Sequence, residues 1–337
     1  MNQTGLSRRT LLAASGAWLT ALAASRARSA SIDAVGAQGS DAAAATPAAG
    51  SATLAADAAG ELSLGGDLRV RRLGFGAMRV TGDGIWGAPD DPTEARLVLK
   101  RAVALGVDFI DTADAYGPGT SEELIAAALH PYPPGLVIAT KGGITRPSRD
   151  EWTADGRPQH LREACEASLR RLKLERIDLY QLHTIDPAVP MEDSVGELVR
   201  LQQQGKIRHI GVSNFSADEL DKALRIAKVV SVQNRYNVAD RSSDAVLRIC
   251  ETQGIAFIPW RPLAQGASDA AADGPVARLA EVAARRGLSM PQAAIAWSLA
   301  RSPIMLPIPG TSKVKHLEEN VASAAIRLTA DEMREVG

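Results

Sequence analysis

The sequence predicts an α/β fold of the (β/α)8 TIM barrel type, closed at its bottom by an N-terminal β-hairpin. After residue 60, short apolar runs alternate eight times with amphipathic helical stretches, which is the number of units in such a barrel. The apolar runs are continuous, as expected for parallel strands that are buried on both faces. With 337 residues, of which 45% are hydrophobic, the chain can enclose the core of one large domain.

The first 30 residues have the layout of an export signal and precede the predicted fold. Arg8 and Arg9 come before an uncharged stretch at residues 11–25, and small residues near positions 23–29 offer cleavage sites. The paired arginines resemble a twin-arginine (Tat) signal, which implies that the Tat machinery exports the folded protein to the periplasm. Translation from a later start would instead leave the protein in the cytoplasm. The stretch is too short and too rich in alanine to predict a stable membrane span.

An Ala-rich segment at residues 31–60 separates this signal from the predicted barrel at residues 61–337. Large apolar residues do not recur in the segment with a helix or strand period, so nothing offsets the entropy of ordering it. We therefore expect a disordered linker. At the start of the barrel domain, two short strand-like runs at residues 61–64 and 68–71 flank Gly65 and Gly66, which predicts a β-hairpin that turns at these glycines.

Eight strand–helix units follow the hairpin, and their helices carry ordinary start and stop signals. Asp91 and Pro92 precede the first helix, for example, and Gly106 follows it. The predicted strands span residues 72–78, 108–113, 136–141, 177–183, 207–214, 229–234, 254–260 and 304–309. The predicted helices span residues 93–105, 121–129, 161–172, 191–204, 217–227, 243–253, 276–286 with 291–300, and 314–325.

Composition excludes several classes of protein. The formal net charge is −1, and loss of the four arginines in residues 1–30 would leave 34 basic against 39 acidic residues. A nucleic-acid partner is therefore not expected, because phosphate binding requires a basic excess. Two cysteines, Cys165 and Cys250, are too few for a disulfide scaffold or a cysteine-rich metal cage. The histidines lack metal-ligand spacing, so we expect no metal ion.

A doubly wound, dinucleotide-binding sheet is the alternative fold. Gly74, Phe75 and Gly76 form a G-x-G sequence, but Arg79 stands where the third glycine of that fingerprint belongs. No acidic residue ends the next strand in the position that binds a ribose. Eight units with polar residues at one edge favour the barrel.

Residues capable of chemistry follow the ends of the predicted strands, which converge at the mouth of a parallel barrel. Asp111 ends the second strand, with Tyr116 five residues later, and Lys141 and His183 end the third and fourth. Each residue alone has a structural explanation, such as a turn cap or a buried hydrogen bond, but four at one edge favour a catalytic site. The later strands end in Ser213, Asn214, Gln233, Trp260, Arg261 and residues 310–312.

The four residues suit proton donation to a carbonyl group. A phenol is a weak acid with a pKa of about 10, and a neighbouring ammonium group lowers that pKa by stabilising the phenolate. Lys141 can supply the charge, and Asp111 can keep Lys141 protonated in a buried place. His183 can orient a substrate carbonyl by a hydrogen bond. A proton donor and a polarised carbonyl group are what a carbonyl compound requires when its carbon atom accepts a hydride.

Six motifs, in this order and spacing, resemble those of the aldo-keto reductase superfamily over residues 61–337. They are FIDTADAYG at 109–117, ATK at 139–141, LH at 182–183, IGVSNF at 210–215, VQNRYN at 232–237 and IPGTS at 308–312. The resemblance implies a catalytic tetrad of Asp111, Tyr116, Lys141 and His183, with Tyr116 as general acid. It also implies reduction of a small carbonyl substrate by NADPH, bound across the barrel mouth without a Rossmann domain. We expect a monomer.

The resemblance also implies a cofactor site. Its residues are Gly76, Ala77, Met78, Asp111, Ser213, Asn214, Gln233, Trp260, Arg261, Pro262, Leu263, Gly266, Gly310, Thr311, Ser312, Lys313, His316, Glu319 and Asn320. Gly310 and His316 stand where many members have Lys and Arg to bind the 2′-phosphate. Ser312 and Lys313 can compensate. NADPH is expected rather than NADH mainly because the resemblance implies the cofactor that the family generally uses.

Substrate contacts are expected from Met78, Tyr116, Trp86, Trp152 and His183. The sequence GIWG at 84–87 is similar to the bacterial branch that includes pyridoxal reductases, so pyridoxal is the first substrate to test. The alternative function is that of a cofactor-sensing subunit similar to the potassium-channel β subunits, which share this fold. Such a protein would bind NADPH tightly and turn over slowly.

Overall fold

The computed structural model describes residues 54–263 and 274–337 as a barrel of alternating strands and helices. The strands are β1 (Glu61–Leu64), β2 (Leu68–Arg71), β3 (Phe75–Gly76), β4 (Phe109–Asp111), β5 (Val137–Gly142), β6 (Ile144–Thr145), β7 (Thr153–Ala154), β8 (Ile177–Leu182), β9 (Ile207–Ser213), β10 (Val229–Arg235) and β11 (Ala256–Trp260). The helices are α1 (Pro92–Ala104), α2 (Thr120–Leu129), α3 (Pro158–Leu172), α4 (Met191–Gln203), α5 (Ala217–Leu224), α6 (Asp244–Gln253), α7 (Pro275–Arg286), α8 (Met290–Arg301), α9 (Val314–Ala322) and α10 (Ala330–Val336).

Seven strands form one parallel sheet in the order β11-β10-β9-β8-β5-β4-β3. Each strand pairs with the strand of the preceding unit, as expected when every connection passes through a helix on the outside. One apolar core lies between the sheet and these helices, and a second fills the interior of the ring. The predicted fold class is confirmed, and the carboxyl ends of all seven strands open on the same face.

The predicted eighth strand closes the ring without forming a regular strand. On one side, a backbone hydrogen bond of 2.9 Å joins Leu306 to Phe257 of β11, and on the other, Gly74 donates to the carbonyl of Pro307 at 3.0 Å. The segment forms only an isolated parallel bridge with β11. Pro307 and Pro309 have no N–H group, so this segment cannot complete a ladder on both sides.

Close approach of the first and last units depends on glycine. A Cβ atom at Gly310 would lie 2.4 Å from the carbonyl oxygen of Gly76, and one at Gly76 would lie 2.7 Å from the carbonyl oxygen of Ile308. Side chains cannot be accommodated at either distance. The two glycines therefore let the backbone ring close just below the barrel mouth.

The predicted hairpin is confirmed, and it covers the bottom of the barrel. Strands β1 and β2 pair in antiparallel register with Leu64 opposite Leu68, and Gly65 and Gly66 in the three-residue connection both have positive φ, a conformation that glycine adopts without steric cost. Leu64, Leu68 and Val70 are buried among apolar side chains inside the ring. The hairpin thus fills the end of the barrel opposite the mouth.

The folded body begins before the predicted boundary at Glu61. A 3₁₀ helix at Ala55–Ala59 buries Ala56 and Ala59, and Asp57 forms an ion pair of 2.5 Å with Arg71 of the hairpin. The prediction of a disordered linker is therefore wrong for these last residues, because small side chains and one acidic group give them tertiary contacts. The Tat-like segment at residues 1–30 and most of the linker lie outside the described residues.

Several local elements differ from the predictions. Helix α9 gives way to a 3₁₀ helix at Ser323–Ala325, and the first predicted strand gives way to a 3₁₀ helix at Ala77–Val80. Helix α10 and the small β6–β7 hairpin were not predicted. Thr329 and Glu332 form a capping box at the start of α10, a signal that could have revealed it. Within the described ranges, no helix has the length and apolar character needed to cross a membrane.

Candidate active site

A buried ion pair lies at the centre of the barrel mouth. Lys141 near the end of β5 donates from Nζ to Oδ1 of Asp111 at 2.6 Å and to the carbonyl of Thr112 at 2.8 Å. The exposed fractions of the two charged side chains are 0% and 3%. Strands β4 and β5 are neighbours in the sheet, so their carboxyl ends bring the two residues together although 30 residues separate them in the chain.

Amide side chains from two further strands complete the hydrogen bonding of Asp111. Gln181 of β8 and Gln233 of β10 donate to its Oδ2 atom at 3.1 and 2.8 Å. The carboxylate thus accepts at least three hydrogen bonds inside the ring, which offsets the cost of burying its charge. Gln181 was not among the predicted site residues, because a single glutamine inside a strand carries no distinctive sequence signal.

Tyr116 and His183 lie above this pair. Lys141 Nζ is 5.2 Å from the centroid of the Tyr116 ring, and the ring centroids of Tyr116 and His183 are 5.8 Å apart in an edge-to-face arrangement. Tyr116 is in the turn after β4, and the next residue, Gly117, donates its N–H to the carbonyl of Ile85 at 3.1 Å. The structure therefore brings all four residues of the predicted tetrad to one place.

The electrostatic environment keeps Lys141 charged and His183 neutral. Burial is the largest influence on Lys141 and lowers its pKa, but the charge and hydrogen bond of Asp111, with those of Tyr116, raise the pKa overall. Burial, assisted by the charge of Lys141, holds the pKa of His183 well below its ordinary value of 6.5. A neutral imidazole retains one N–H donor.

The pKa of Tyr116 differs from the expectation based on Lys141 alone. Burial raises the pKa of the phenol above its ordinary value of 10.0, and the charge and hydrogen bond of Lys141 lower it by less. The ammonium group acts in the predicted direction, but desolvation of the phenolate outweighs it. Tyr116 is consequently protonated at neutral pH in this structure.

A cavity of about 560 Å³ opens between the first and last units of the barrel and reaches the tetrad. Ten of the predicted cofactor residues line it: Gly76, Met78, Asp111, Gln233, Trp260, Arg261, Pro262, Leu263, Gly310 and Ser312. Eight others are outside its lining: Ala77, Ser213, Asn214, Thr311, Lys313, His316, Glu319 and Asn320. Gly266 lies outside the described residues.

Three of the predicted cofactor residues, Ser213, Asn214 and Trp260, are bonded through the side chain of Asn214. Asn214 has a positive φ of 61°, and its Oδ1 atom accepts from Trp260 Nε1 at 3.0 Å. Its Nδ2 group donates to the carbonyl of His183 at 3.1 Å and to Ser213 Oγ at 3.2 Å. This network orients the Trp260 indole at the edge of the cavity.

Cationic groups are distributed differently from the prediction. Lys313, expected to bind a phosphate, forms an ion pair of 2.9 Å with Glu94. Arg79 lines the cavity and was not predicted as a site residue, although it follows Met78 directly. Within residues 54–263 and 274–337, neither Arg79 nor the cavity residue Arg261 forms an ion pair. The guanidinium-bearing side chains at the cavity are thus Arg79 and Arg261 rather than the predicted Lys313.

Of the predicted substrate residues, Met78 and Tyr116 line the cavity, whereas the two tryptophans lie beside it. The Trp152 ring is 6.4 Å from that of Tyr116, in an edge-to-face arrangement, and is 40% exposed. Trp86 is outside the cavity lining and packs near Arg146, whose guanidinium carbon is 5.4 Å from the Trp86 ring centroid. Sequence reasoning did not identify Arg146, which has no motif of its own.

A parallel barrel whose mouth holds a phenol, an imidazole and a buried ammonium–carboxylate pair has the groups needed for proton transfer, as expected of an enzyme. The chain belongs to the aldo/keto reductase family, whose profile matches residues 72–337. The class expected from the sequence motifs is therefore confirmed.

Individual relatives support this assignment. An uncharacterized oxidoreductase of Schizosaccharomyces pombe is 50% identical over 266 residues, which cover 79% of this chain and 85% of the relative. Pyridoxine 4-dehydrogenase of Escherichia coli K12 is 40% identical, with 79% and 93% covered. The crystal structure of an aldo/keto reductase from Klebsiella pneumoniae in complex with NADP and acetate aligns with a TM-score of 0.68 at 25% identity, covering 82% of this chain and 93% of that one.

Proposed function

We propose that this protein reduces a small aldehyde or ketone to the alcohol with NADPH, and that Tyr116 is the general acid. The observation that carries the proposal is the buried Lys141–Asp111 pair beneath the Tyr116 ring, with His183 at its edge. A buried ion pair is weak evidence for a role in stability, because replacing such a pair by apolar residues is often neutral or stabilising, so we assign this pair to the chemistry of the site.

The chemistry needs a hydride and a proton, and NADPH when bound supplies the hydride to the carbonyl carbon. The Tyr116 hydroxyl donates the proton to the carbonyl oxygen, which balances the conversion to an alcohol. Lys141 stabilises the phenolate that remains, and Asp111 keeps Lys141 charged. His183, held neutral by burial, donates a hydrogen bond that orients the carbonyl group.

The residues around the cavity fit a phosphorylated dinucleotide. The cavity combines a flat indole, Trp260, with the guanidinium groups of Arg79 and Arg261, and phosphate oxygens pair well with guanidinium groups. The NADP complex of the Klebsiella pneumoniae relative supports the choice of cofactor. NADPH is proposed over NADH because Arg79 and Arg261, which form no ion pair within residues 54–263 and 274–337, favour the additional phosphate.

Pyridoxal is proposed as the first substrate to test. The Escherichia coli relative is named a pyridoxine dehydrogenase, and a dehydrogenase and a reductase act on the same alcohol–carbonyl pair in opposite directions. The purified full chain should oxidise NADPH steadily when pyridoxal or another small aldehyde is added, as followed by the absorbance of the reduced cofactor. NADH at equal concentration should give a lower kcat/KM.

Two other outcomes would change the functional assignment. Oxidation of one equivalent of NADPH without continued turnover would favour the cofactor-sensing subunit. Failure to oxidise NADPH with any aldehyde or ketone in a broad panel would remove the reductase proposal. A measurement of NADPH binding accompanies both outcomes, because retained binding shows that the preparation is folded and that a lack of turnover is a property of the protein.

For localisation, we infer that residues 1–30 direct export through the Tat machinery. The inference is supported by Arg8 and Arg9 before an uncharged stretch. Mass spectrometry of the mature protein should find a new N-terminus after Ser25 or Ser29, and Arg8→Lys with Arg9→Lys should leave the precursor uncleaved. Soluble cytosolic protein that retains residues 1–30 would contradict export.

A further inference from the structure

Arg146 is a buried cation at the edge of the site, and the functional proposal gives it no task. It follows β6 and is 8% exposed. Within the described ranges no carboxylate lies at ion-pair distance from it; burial lowers its pKa, and the charge of Asp150 opposes this only in part. A buried charge without a direct ion pair is costly, so its surroundings must compensate with polar and aromatic contacts.

Backbone carbonyl groups from three loops provide that compensation. Nη1 donates to the carbonyls of Ile85 at 3.1 Å and Ala115 at 3.3 Å, and Nη2 donates to Gly84 at 3.3 Å. Nε donates to the carbonyl of Glu151 at 3.1 Å, and Nη2 also contacts that of Arg149. One side chain therefore joins the loop after β3, the loop that carries Tyr116, and its own β6–β7 loop.

Two indole rings cover the guanidinium group. Its central carbon lies 3.7 Å from the ring centroid of Trp152 and 5.4 Å from that of Trp86. Because Thr145 pairs with Thr153 in the β6–β7 hairpin, Arg146 and Trp152 are the next facing pair. We call this arrangement the Trp86–Arg146–Trp152 stack. The Trp152 ring in turn packs against the Tyr116 ring in an edge-to-face arrangement.

The backbone that Arg146 holds is strained. Ile85 has a φ of +59°, an unfavourable conformation for a β-branched residue. Its carbonyl accepts from Gly117 as well as from Arg146, and Ile85 also lines the cavity. Strain of this kind persists only where surrounding contacts impose it, and it is concentrated at functional sites. Arg146 therefore connects the position of Ile85 to that of Tyr116.

We propose that Arg146 is a positioning residue that selects the substrate: it holds the Trp152 ring beside Tyr116 as a rigid flat wall for planar aromatic aldehydes. This rests on the proposed carbonyl reductase function. A preorganised indole binds an aromatic ring without reordering of the side chain, whereas a two-carbon aldehyde is too small to use the wall. Loss of the stack should thus affect the two kinds of aldehyde unequally.

Kinetics of the full-length protein test the proposal with two substrates, benzaldehyde and acetaldehyde. Arg146→Met and Trp152→Leu should each raise KM for benzaldehyde by about tenfold or more, since stacking contacts of this kind are lost. For Trp152→Leu, which leaves the bonds from Arg146 to the three loops in place, the kcat/KM for acetaldehyde should change by less than about threefold and the Kd for NADPH should not change. Arg146→Lys, which keeps the charge but cannot reach all the carbonyls, should fall between wild type and Arg146→Met.

Arg149→Met is the matched control, because Arg149 lies in the same loop and pairs with the exposed Asp83 instead of joining the stack. It should behave as wild type toward both aldehydes. Equal losses for benzaldehyde and acetaldehyde in Arg146→Met, or an unchanged benzaldehyde KM in Trp152→Leu, would overturn the proposal. Trp152→Leu decides the matter if Arg146→Met fails to fold.

Hydrogen exchange provides a readout that does not depend on turnover. The amide of Gly117, bonded to Ile85, should exchange faster in Arg146→Met than in wild type or Arg149→Met. Unchanged exchange would contradict the positioning role. If wild type reduces no carbonyl compound while Gly117 exchange responds as expected, the proposed reaction fails, but the role of Arg146 in positioning the loop that carries Tyr116 remains supported.

Discussion

Replacement of Tyr116 by phenylalanine is expected to lower kcat for aldehyde reduction by about 100- to 10,000-fold, the usual contribution of a general acid. The Kd for NADPH should change little, because the variant loses one hydroxyl and keeps the ring that packs beside Lys141 and His183. Steady-state kinetics and fluorescence titration with NADPH measure the two quantities separately.

Tyr132→Phe is the matched control for this experiment. It removes the same atom, and the Tyr132 hydroxyl donates to the carbonyl of Leu172 at 2.7 Å, outside the barrel mouth. Its kcat should equal that of wild type. Undiminished turnover in Tyr116→Phe would show that another group protonates the substrate, and the mechanism proposed for this site would be wrong.

The pH dependence of kcat should follow the protonated form of Tyr116. Burial raises the pKa of this phenol above 10.0, so the acid form should persist through neutral and moderately alkaline pH and be lost only at higher pH. On the acid side, burial holds the pKa of His183 well below 6.5, so no decline is expected near that pH. A loss of activity centred near pH 6.5 in wild type would contradict a neutral, buried His183.

The second large effect is expected from Asp111→Asn. The variant leaves Lys141 fully buried without its carboxylate partner, and an unpaired buried charge typically costs about 3 to 5 kcal/mol of stability. Burial would then lower the pKa of Lys141 without opposition from Asp111, which removes the cation needed by the phenolate. Denaturant unfolding should show the loss of stability, and kcat should fall as well.

A double variant separates stability from activity at this pair. Asp111→Asn with Lys141→Met removes both charges, so much of the stability should return while kcat remains low. Glu166→Gln is the control, because Glu166 and Lys206 are also 2.6 Å apart but lie partly exposed to solvent. This variant should lose at most about 1 kcal/mol of free energy of unfolding. Equal stability losses in Asp111→Asn and Glu166→Gln would contradict the importance of burial.

Much of the site could be predicted because strand ends are readable from the sequence. Asp111, Lys141 and His183 each follow an apolar run, and a parallel barrel brings such ends to one mouth whatever the length of the intervening helices. The hairpin could be predicted for a local reason, since Gly65 and Gly66 suit one kind of turn. These features depend on short stretches of chain and on a regular topology.

The sequence does not reveal the net effect of competing influences on the pKa of a buried group. The sequence shows that Lys141 and Tyr116 can meet, but only the packing reveals that burial raises the pKa of Tyr116 by more than the ammonium group lowers it. The ion pair of Lys313 with Glu94 likewise joins residues that are far apart in the chain, since Glu94 lies in α1 and Lys313 directly precedes α9. Such balances depend on distances and solvent exposure that no motif encodes.

The sequence by itself determined the eight-unit architecture, the family, and the four polar residues at the mouth, because periodicity and strand ends are local properties. Only the tertiary structure decided how the last segment closes the ring without a full ladder, that Arg79 faces the cavity, and that Arg146 joins three loops. Those contacts link residues such as Ile85, Ala115 and Arg146 that are distant in the chain. They form only when the ring is complete, which is why the chain order alone does not reveal them.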